Sequence, residues 1–226
     1  IFHVLEDNLR VPSGVSDMLE NRTVMKRVFP ELFQHYGVMP VSAYPDRLYE
    51  MLVSMSHTRS KQPEIVLLTP GIYNSAYFEH SYLAKQMGID IVQGEDLVVL
   101  KDKCVYKKTI EGLIRVDVIY RRIDDDFLDP SAGNKDSMLG VEGLIDSWRN
   151  KKVSIINAPG CGIADDKAVY AYVPDMIRYF LKEEPLLNNL PTLLMTNKEN
   201  QSIVSKKFKE FVIKPVAESG GYGISI

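Results

Sequence analysis

The stretch Phe211-Val212-Ile213-Lys214-Pro215-Val216, running on into Ser219-Gly220-Gly221-Tyr222-Gly223, decides how the rest of the chain is read. Its first half reads as an apolar strand carrying one lysine, its second as a glycine-rich turn. Successive glycines let backbone N–H groups converge on an anion without Cβ obstruction. A lysine on the strand adds a point charge for a phosphate. The pattern G-x-x-x-x-G-K-[ST] is absent, so a phosphate loop here is of another kind. A hairpin turn with an exposed lysine fits the same residues, and the stretch alone leaves both readings open.

Upstream, Asp165-Asp166-Lys167 stands after the loop Ala158-Pro159-Gly160-Cys161-Gly162 and opens a helix expected to run to about Leu181. Either aspartate can cap that helix. Lys167 is less expected, because a helix N-terminus disfavours positive charge, and a bound phosphate would account for it. Gly160-x-Gly162 lacks the third small residue of a dinucleotide fingerprint, which excludes a Rossmann NAD site. At the other end of the chain stands Glu6-Asp7-Asn8. Two oxygen-bearing side chains at i and i+2 on a strand end point the same way. A carboxylate with an amide oxygen suits Mg²⁺, which shares its ligands with substrate phosphates. An Asx-type turn is the plainer reading of the same three residues.

Between these ends, Ile65-Val66-Leu67-Leu68 is a short apolar run that suits a buried parallel strand. A helix over 74–87 with Tyr77, Leu83, Ala84 and Met87 inward, stopped by Gly88, leads to a second strand, Ile89-Asp90-Ile91-Val92. Strand, helix, strand at this length is a βαβ unit. Hairpin strands follow at 97–100 and 104–108, a strand at 116–120, a helix at 141–149 and a buried strand at 153–156, so residues 64–157 read as one open α/β layer. Residues 23–60 read as helical, punctuated by Pro30, Pro40 and Pro45, with Leu48, Leu52 and Met55 as core. Ser13 or Ser16 is the expected cap of a helix that includes 18–22. In the last third, strands are expected at 192–195 and 211–216 and a helix at 198–210.

The chain has 226 residues, 45% hydrophobic and 25% charged, with net charge -3, the profile of a globular protein of one or two domains. No broad basic field exists, which argues against nucleic acid as a partner. No apolar run is long enough to span a bilayer, and no signal-peptide pattern is present. Cys104 and Cys161 are far apart, so a reducing cytoplasm is the expected setting. Asp124-Asp125-Asp126 reads as a solvated loop before a metal site. Glu79-His80 would face different sides of a helix, which makes an acid–base pair there a poor expectation. Neither cysteine has a partner that marks it as a nucleophile. The chain opens inside a strand and stops after the glycine-rich turn, which reads as a fragment of a longer protein.

Taken together, two lysines, a glycine-rich loop and a Glu/Asn pair resemble the nucleotide-binding half of the ATP-grasp fold. The order, with Glu-x-Asn first, resembles the circularly permuted arrangement of glutathionylspermidine synthase. More specifically, the chain resembles the circularly permuted ATP-grasp type 2 family. The stretches that carry this are 6–14, 69–80, 116–130, 164–174 and the final loop. The resemblance implies a mixed α/β fold in three parts. Residues 1–62 would be the metal-binding part with a helical segment, 63–160 an inserted Rossmann-like pre-ATP-grasp domain, and 161–226 the nucleotide-binding part.

It also implies roles. Lys167 and Lys214 would neutralise ATP phosphates, and Ser219, Gly220, Gly221 and Gly223 would form the lid over them. Glu6 and Asn8 would hold Mg²⁺, and Arg10 would stabilise the transferred phosphoryl group. Gly71, Asn74, Ser75, Arg121 and Arg122 would be candidate substrate contacts. The implied chemistry is ADP-forming ligation of a carboxylate to an amine through an acyl phosphate, with small-molecule or peptide substrates and no nucleic acid or membrane partner. A non-catalytic nucleotide-binding or scaffold protein, and an ATP-grasp phosphotransferase, remain as alternatives. A further metal carboxylate and the adenine contacts would lie outside these residues, so little turnover is expected of this chain alone.

Overall fold

The computed structural model describes residues 2–58, 62–217 and 223–225. Along the chain the elements are β1 (His3–Val4), α1 (Val15–Val28), α2 (Pro30–His35), α3 (Tyr44–Ser54), β2 (Ile65–Leu68), α4 (Tyr77–Met87), β3 (Asp90–Val92), β4 (Leu97–Val99), β5 (Val105–Thr109), β6 (Gly112–Val116), β7 (Val118–Arg121), α5 (Asp125–Leu128), α6 (Leu144–Arg149), β8 (Ser154–Ile156), α7 (Lys167–Tyr170), α8 (Val173–Met176), β9 (Asn188–Asn189) and α9 (Lys198–Lys206). They fall into two compact units, Ile1–Arg10 with Gly160–Ile226, and Val11–Pro159. Residues 1–10 and the helices of 11–58, grouped together in the sequence reading, therefore belong to different units.

The Val11–Pro159 unit is built on a four-stranded parallel sheet in the order β3-β2-β7-β8. All four residues of β2 are buried, which is why the run is apolar without alternation: both faces of the sheet are covered. Val66 and Leu68 join Ile119, Ile155 and Leu144 on one face, with Val105 and Leu97 of the antiparallel sheet β4-β5-β6. Ile65 and Leu67 join Val118, Tyr120, Ile156, Leu83 and Leu52 on the other, beneath α3 and α4. Leu52 is fully buried and Leu48 packs against this cluster, whereas Met55, expected in the core, is exposed beyond the end of α3.

The strand expected at 116–120 is two strands. At Asp117 the chain leaves the antiparallel sheet and enters the parallel one. Its carboxylate accepts from Glu64 N at 3.0 Å, which fixes the start of β2 beside the break. The buried Lys107 is shared by Glu64 and Asp90. Burial alone would lower the Lys107 ammonium, but its hydrogen bonds to Asp90 and Glu64 carry it above its ordinary value.

Helix α1 lacks the expected serine cap: Gly14, at φ 104, precedes it and no side chain of its own turn caps it. Instead Gly14 N and Ser16 N donate to the buried Glu79 carboxylate at 2.7 and 3.1 Å. Helix α6 begins the same way. Gly143, at φ 81, stands before it, and Gly143 N and Ile145 N donate to the buried Asp129 carboxylate at 3.2 and 2.8 Å. Each helix start needs a residue that tolerates positive φ, and each leaves orphan amides for a distant carboxylate.

The other unit is looser in its secondary structure. β1 pairs in parallel with β9. The helix expected from 165 to 181 is broken into α7, α8 and a π-helical turn at Ile177–Leu181. Pro174, at the start of α8, has no N–H to continue the first helix. The strand expected at 192–195 is absent. The pairing instead falls on Asn188 and Asn189, ahead of Pro191, and Tyr170 ties it down: its hydroxyl donates to Val4 O at 2.7 Å and accepts from Leu190 N at 2.9 Å. The strand expected at 211–216 is reduced to one antiparallel bridge between Ile213 and Ser225.

Candidate functional site

Three segments far apart in sequence meet in the Ile1–Arg10/Gly160–Ile226 unit. The first carries Glu6, Asn8 and Arg10. The two ends of the pair lie on one side, with Asn8 Nδ2 3.5 Å from Glu6 Oε1, and both side chains are exposed. Both residues lie beyond β1, which ends at Val4, so the strand end expected to carry the pair is not there and the extended chain after it brings them together.

The second segment is 160–167. Asp165 takes a role other than capping: its carboxylate accepts the Leu9 amide and the Arg10 amide, the latter at 3.0 Å. Arg10 Nε lies 3.6 Å from the same carboxylate. Cys161 Sγ reaches Leu9 O at 3.6 Å. Gly162 lies close under the Arg10 side chain, where a Cβ would stand 2.5 Å from Arg10 Nε and make that side chain shift. Asp166 is the helix cap, accepting from Ala168 N at 2.7 Å. Lys167, the next residue, is half-buried.

The third segment is 213–216 with 223–225. Lys167 N donates to Val216 O at 3.2 Å, so the segment of Lys214 runs beside the start of α7. Lys214 is exposed, between a bridged Ile213 and Pro215. Gly223, at φ 70, packs against Pro215 and leads back into that bridge. Ser219, Gly220 and Gly221 lie outside the described residues.

The arrangement thus brings Glu6, Asn8, Arg10, Lys167 and the segment of Lys214 into one unit. A carboxylate and an amide at its surface, with cationic side chains on neighbouring segments, can hold a hard cation and an anion together. With the Asn8 amide turned over, its neutral oxygen would stand beside the anionic Glu6 carboxylate, a donor set that suits a hard cation, and both side chains face solvent. Among the described residues, no three His, Cys, Asp or Glu side chains gather into a metal-holding group.

The expected substrate residues all lie in the Val11–Pro159 unit, at the carboxyl ends of β2 and β7. Asn74 and Ser75 are exposed on the turn before α4, while Gly71 is buried with Gln93 against it. Arg121 and Arg122 are not at the surface. Arg121 is buried and donates to Asn157 O at 2.7 Å, Ile123 O at 2.8 Å and Ala158 O at 3.3 Å, and it pairs with Asp125 at 2.9 Å. Arg122 is buried against Glu79 at 3.0 Å, with its guanidinium 5.5 Å from the centre of the Tyr120 ring.

Glu79 and His80, set aside in the sequence, are both buried. His80 Nδ1 lies 2.8 Å from Thr69 Oγ1, whose oxygen also accepts from Gly71 N. Burial, followed by the Arg122 charge, pushes His80 down to about 4, against an opposing effect of Glu79. The missed signal was the second burial face of α4: the helix is covered both by α1 and by the sheet, so consecutive residues can both be inside.

A family model described as circularly permuted ATP-grasp type 2 matches residues 1–226. An uncharacterized protein of Synechocystis sp. is 54% identical over 221 residues, which are 98% of this chain and 46% of that protein. An uncharacterized protein of Mycobacterium tuberculosis is 52% identical over 223 residues, 99% of this chain and 40% of that protein. A Frankia casuarinae protein with the provisional name glutamate–cysteine ligase 2-2 is 41% identical over 224 residues, 99% of this chain and 26% of that protein. The chain therefore spans less than half the length of these relatives.

Proposed function

The chain belongs to the circularly permuted ATP-grasp type 2 family, and on that footing we propose that it supplies the phosphate- and metal-binding groups of an ATP-dependent, ADP-forming carboxylate–amine ligase. One observation carries the reading: the segments bearing Glu6-x-Asn8-x-Arg10, Lys167 and Lys214 are tied to one another, through Asp165 to the Leu9 and Arg10 amides and through Lys167 N to Val216 O. The provisional ligase name of the Frankia protein agrees in reaction class.

In this reading Lys167 and Lys214 offset the charge of the ATP phosphates, with Ser219, Gly220, Gly221 and Gly223 as the proposed phosphate-contacting residues of the glycine-rich stretch. Glu6 and Asn8 would hold Mg²⁺, which would supply neutralisation of phosphate charge when bound. Arg10 faces the phosphoryl group in transfer. A carboxylate oxygen attacks the γ-phosphorus, the bond to the ADP oxygen breaks, and ADP leaves. The amine then attacks the acyl carbon, loses a proton, and phosphate departs. Positioning and charge do most of this work, so no side-chain nucleophile is needed.

The parallel sheet is the proposed substrate-binding, Rossmann-like part. The chain leaves β2 toward β3 and leaves β7 toward β8, on opposite sides. Ligands of open α/β sheets sit where such neighbours diverge, at the carboxyl ends of the strands. The exposed Asn74 and Ser75 lie there, beside Gly71, and are the substrate contacts we favour. A glutathionylspermidine synthase-like pairing of a small peptide acid with an amine is the substrate class proposed.

The test is calorimetric titration with a non-hydrolysable ATP analogue, with and without Mg²⁺, on the wild type and on Lys167→Ala and Lys214→Ala. Each lysine removed should weaken Mg²⁺-dependent binding about tenfold or more, as loss of a charged hydrogen bond does. Undiminished binding in both variants would sink the reading. A screen of acids and amines for stimulated ADP release then addresses the ligation.

A further inference from the structure

The chain passes between the two units twice, at Arg10–Val11 and at Pro159–Gly160. Just after the first passage, Gly14 N, Ser16 N and Ser16 Oγ all donate to Glu79 Oε2, at 2.7, 3.1 and 3.2 Å. The other Glu79 oxygen accepts from Arg122 at 3.0 Å. Just before the second passage, Asn157 O and Ala158 O accept from Arg121 at 2.7 and 3.3 Å. Two adjacent residues at the end of β7 thus hold the two connecting segments, one directly and one through Glu79. Strand geometry permits it, since neighbours on a strand point to opposite faces.

Burying two guanidinium groups in succession is costly, and the terminal nitrogens of Arg122 are engaged by Glu79 and Tyr120 while its buried Nε is unpaired among the described residues. Arg121 and Arg122 have side chains 0% and 1% exposed. Arginine suits Arg121 in particular, because its planar fork meets several carbonyls at once, which a lysine cannot do.

We propose that Arg121 and Arg122 are positioning residues, each fixing one of the two segments on which the Glu6/Asn8/Arg10 and Lys167 segments are carried. Arg10 precedes Gly14 by four residues, and Lys167 follows Ala158 by nine. An anchor lost at either place loosens the chain that leads directly to a proposed phosphate- or metal-binding group. The consequence for nucleotide rests on the proposed function; the anchoring does not.

Hydrogen exchange on the full chain tests the anchoring. Arg122→Met should speed amide exchange in the peptide over 11–17 about tenfold or more, with the peptide over 157–163 as in the wild type. Arg121→Met should do the reverse, and β2 should stay protected in both. Where a methionine variant unfolds the unit, Glu79→Gln and Arg121→Lys make milder cuts at the same two places.

The positioning is read from affinity for the Mg²⁺-bound ATP analogue, at a temperature where each variant is folded. Both variants should bind about tenfold more weakly. Arg122→Lys should restore part of the loss, because one ammonium can still reach Glu79, whereas Arg121→Lys should restore little. Exchange that is unchanged, or raised equally in both peptides, overturns the proposal. So does unchanged affinity in a variant whose exchange has risen selectively. If the wild type binds no analogue, the ligase reading fails by itself, and the exchange pattern alone upholds or overturns the anchors.

Discussion

In the Val11–Pro159 unit, helices α1 and α6 take their caps from buried carboxylates far along the chain, Glu79 and Asp129. In the other unit, α7 and α9 are capped by the residues just before them, Asp166 and Asn197. The cores differ in the same direction. Both buried apolar clusters lie in the first of these units. Among the described residues of the second, Tyr170 and Val204 are the buried hydrophobic side chains. One unit is thus held by long-range packing and the other by local caps and single bridges. The difference is useful: segments that bring Glu6, Asn8 and Lys214 to the surface cannot also bury their faces. A sheet covered on both sides can instead serve as the fixed frame.

Removing core from the frame should have the largest effect. Leu67 is fully buried under α3 and α4. Leu67→Ala should cost about 3 kcal/mol, within the range seen for such cavities. The single tryptophan, Trp148, packs against the other face of the same sheet, so its fluorescence in a urea titration reports this unit. A shift of the midpoint too small to measure would mean that the sheet is not the main store of stability.

The next effect depends on pH. His80 is held neutral, with its pKa near 4 against an ordinary 6.5. The unfolded chain takes up this proton as pH falls below 6.5, and the folded protein does not until about 4. Stability from this group is therefore complete above 6.5 and is lost progressively toward 4. The loss is up to about 3 kcal/mol at 1.36 kcal/mol per pH unit. His80→Asn, which keeps a polar atom for Thr69, should flatten the pH dependence of the Trp148 transition in that window. An unchanged slope would place the acid sensitivity elsewhere.

The two units were also unequally legible in the sequence. Ile65–Leu68, α4 and the stop at Gly88 could be read because burial on both sheet faces leaves an unbroken apolar run and a helix its own period. Glu6 and Asn8 could be paired from their i, i+2 spacing, although the strand expected to carry them ends at Val4. The trans caps could not be read: Ser13 and Ser16 stood where local caps belong, and nothing in the sequence marks Glu79 as their substitute. Neither could β9, since Asn is a poor strand former and its pairing depends on β1, most of the chain away. Arg121 and Arg122 read as surface or substrate residues because Arg121 is held mostly by backbone carbonyls, which have no signature in sequence, and Arg122 by Glu79, a side chain 43 residues away.

The smallest expected effect probes the looser unit at its tightest point. The Tyr170 hydroxyl donates to Val4 O and accepts from Leu190 N, joining the two strands β1 and β9 through one oxygen. Tyr170→Phe keeps the ring, which is buried, and removes both bonds. The two backbone groups are part-buried and can recover some hydration, so the cost should be about 1 kcal/mol. Amide exchange should rise at Val4 and Leu190, with the Trp148 transition unmoved, because the bonds lost lie wholly outside the frame. If the mutation shifts the Trp148 midpoint as far as it loosens β1, the two units unfold together. The contrast between a fixed frame and a locally tied site would then describe their packing and not their stability.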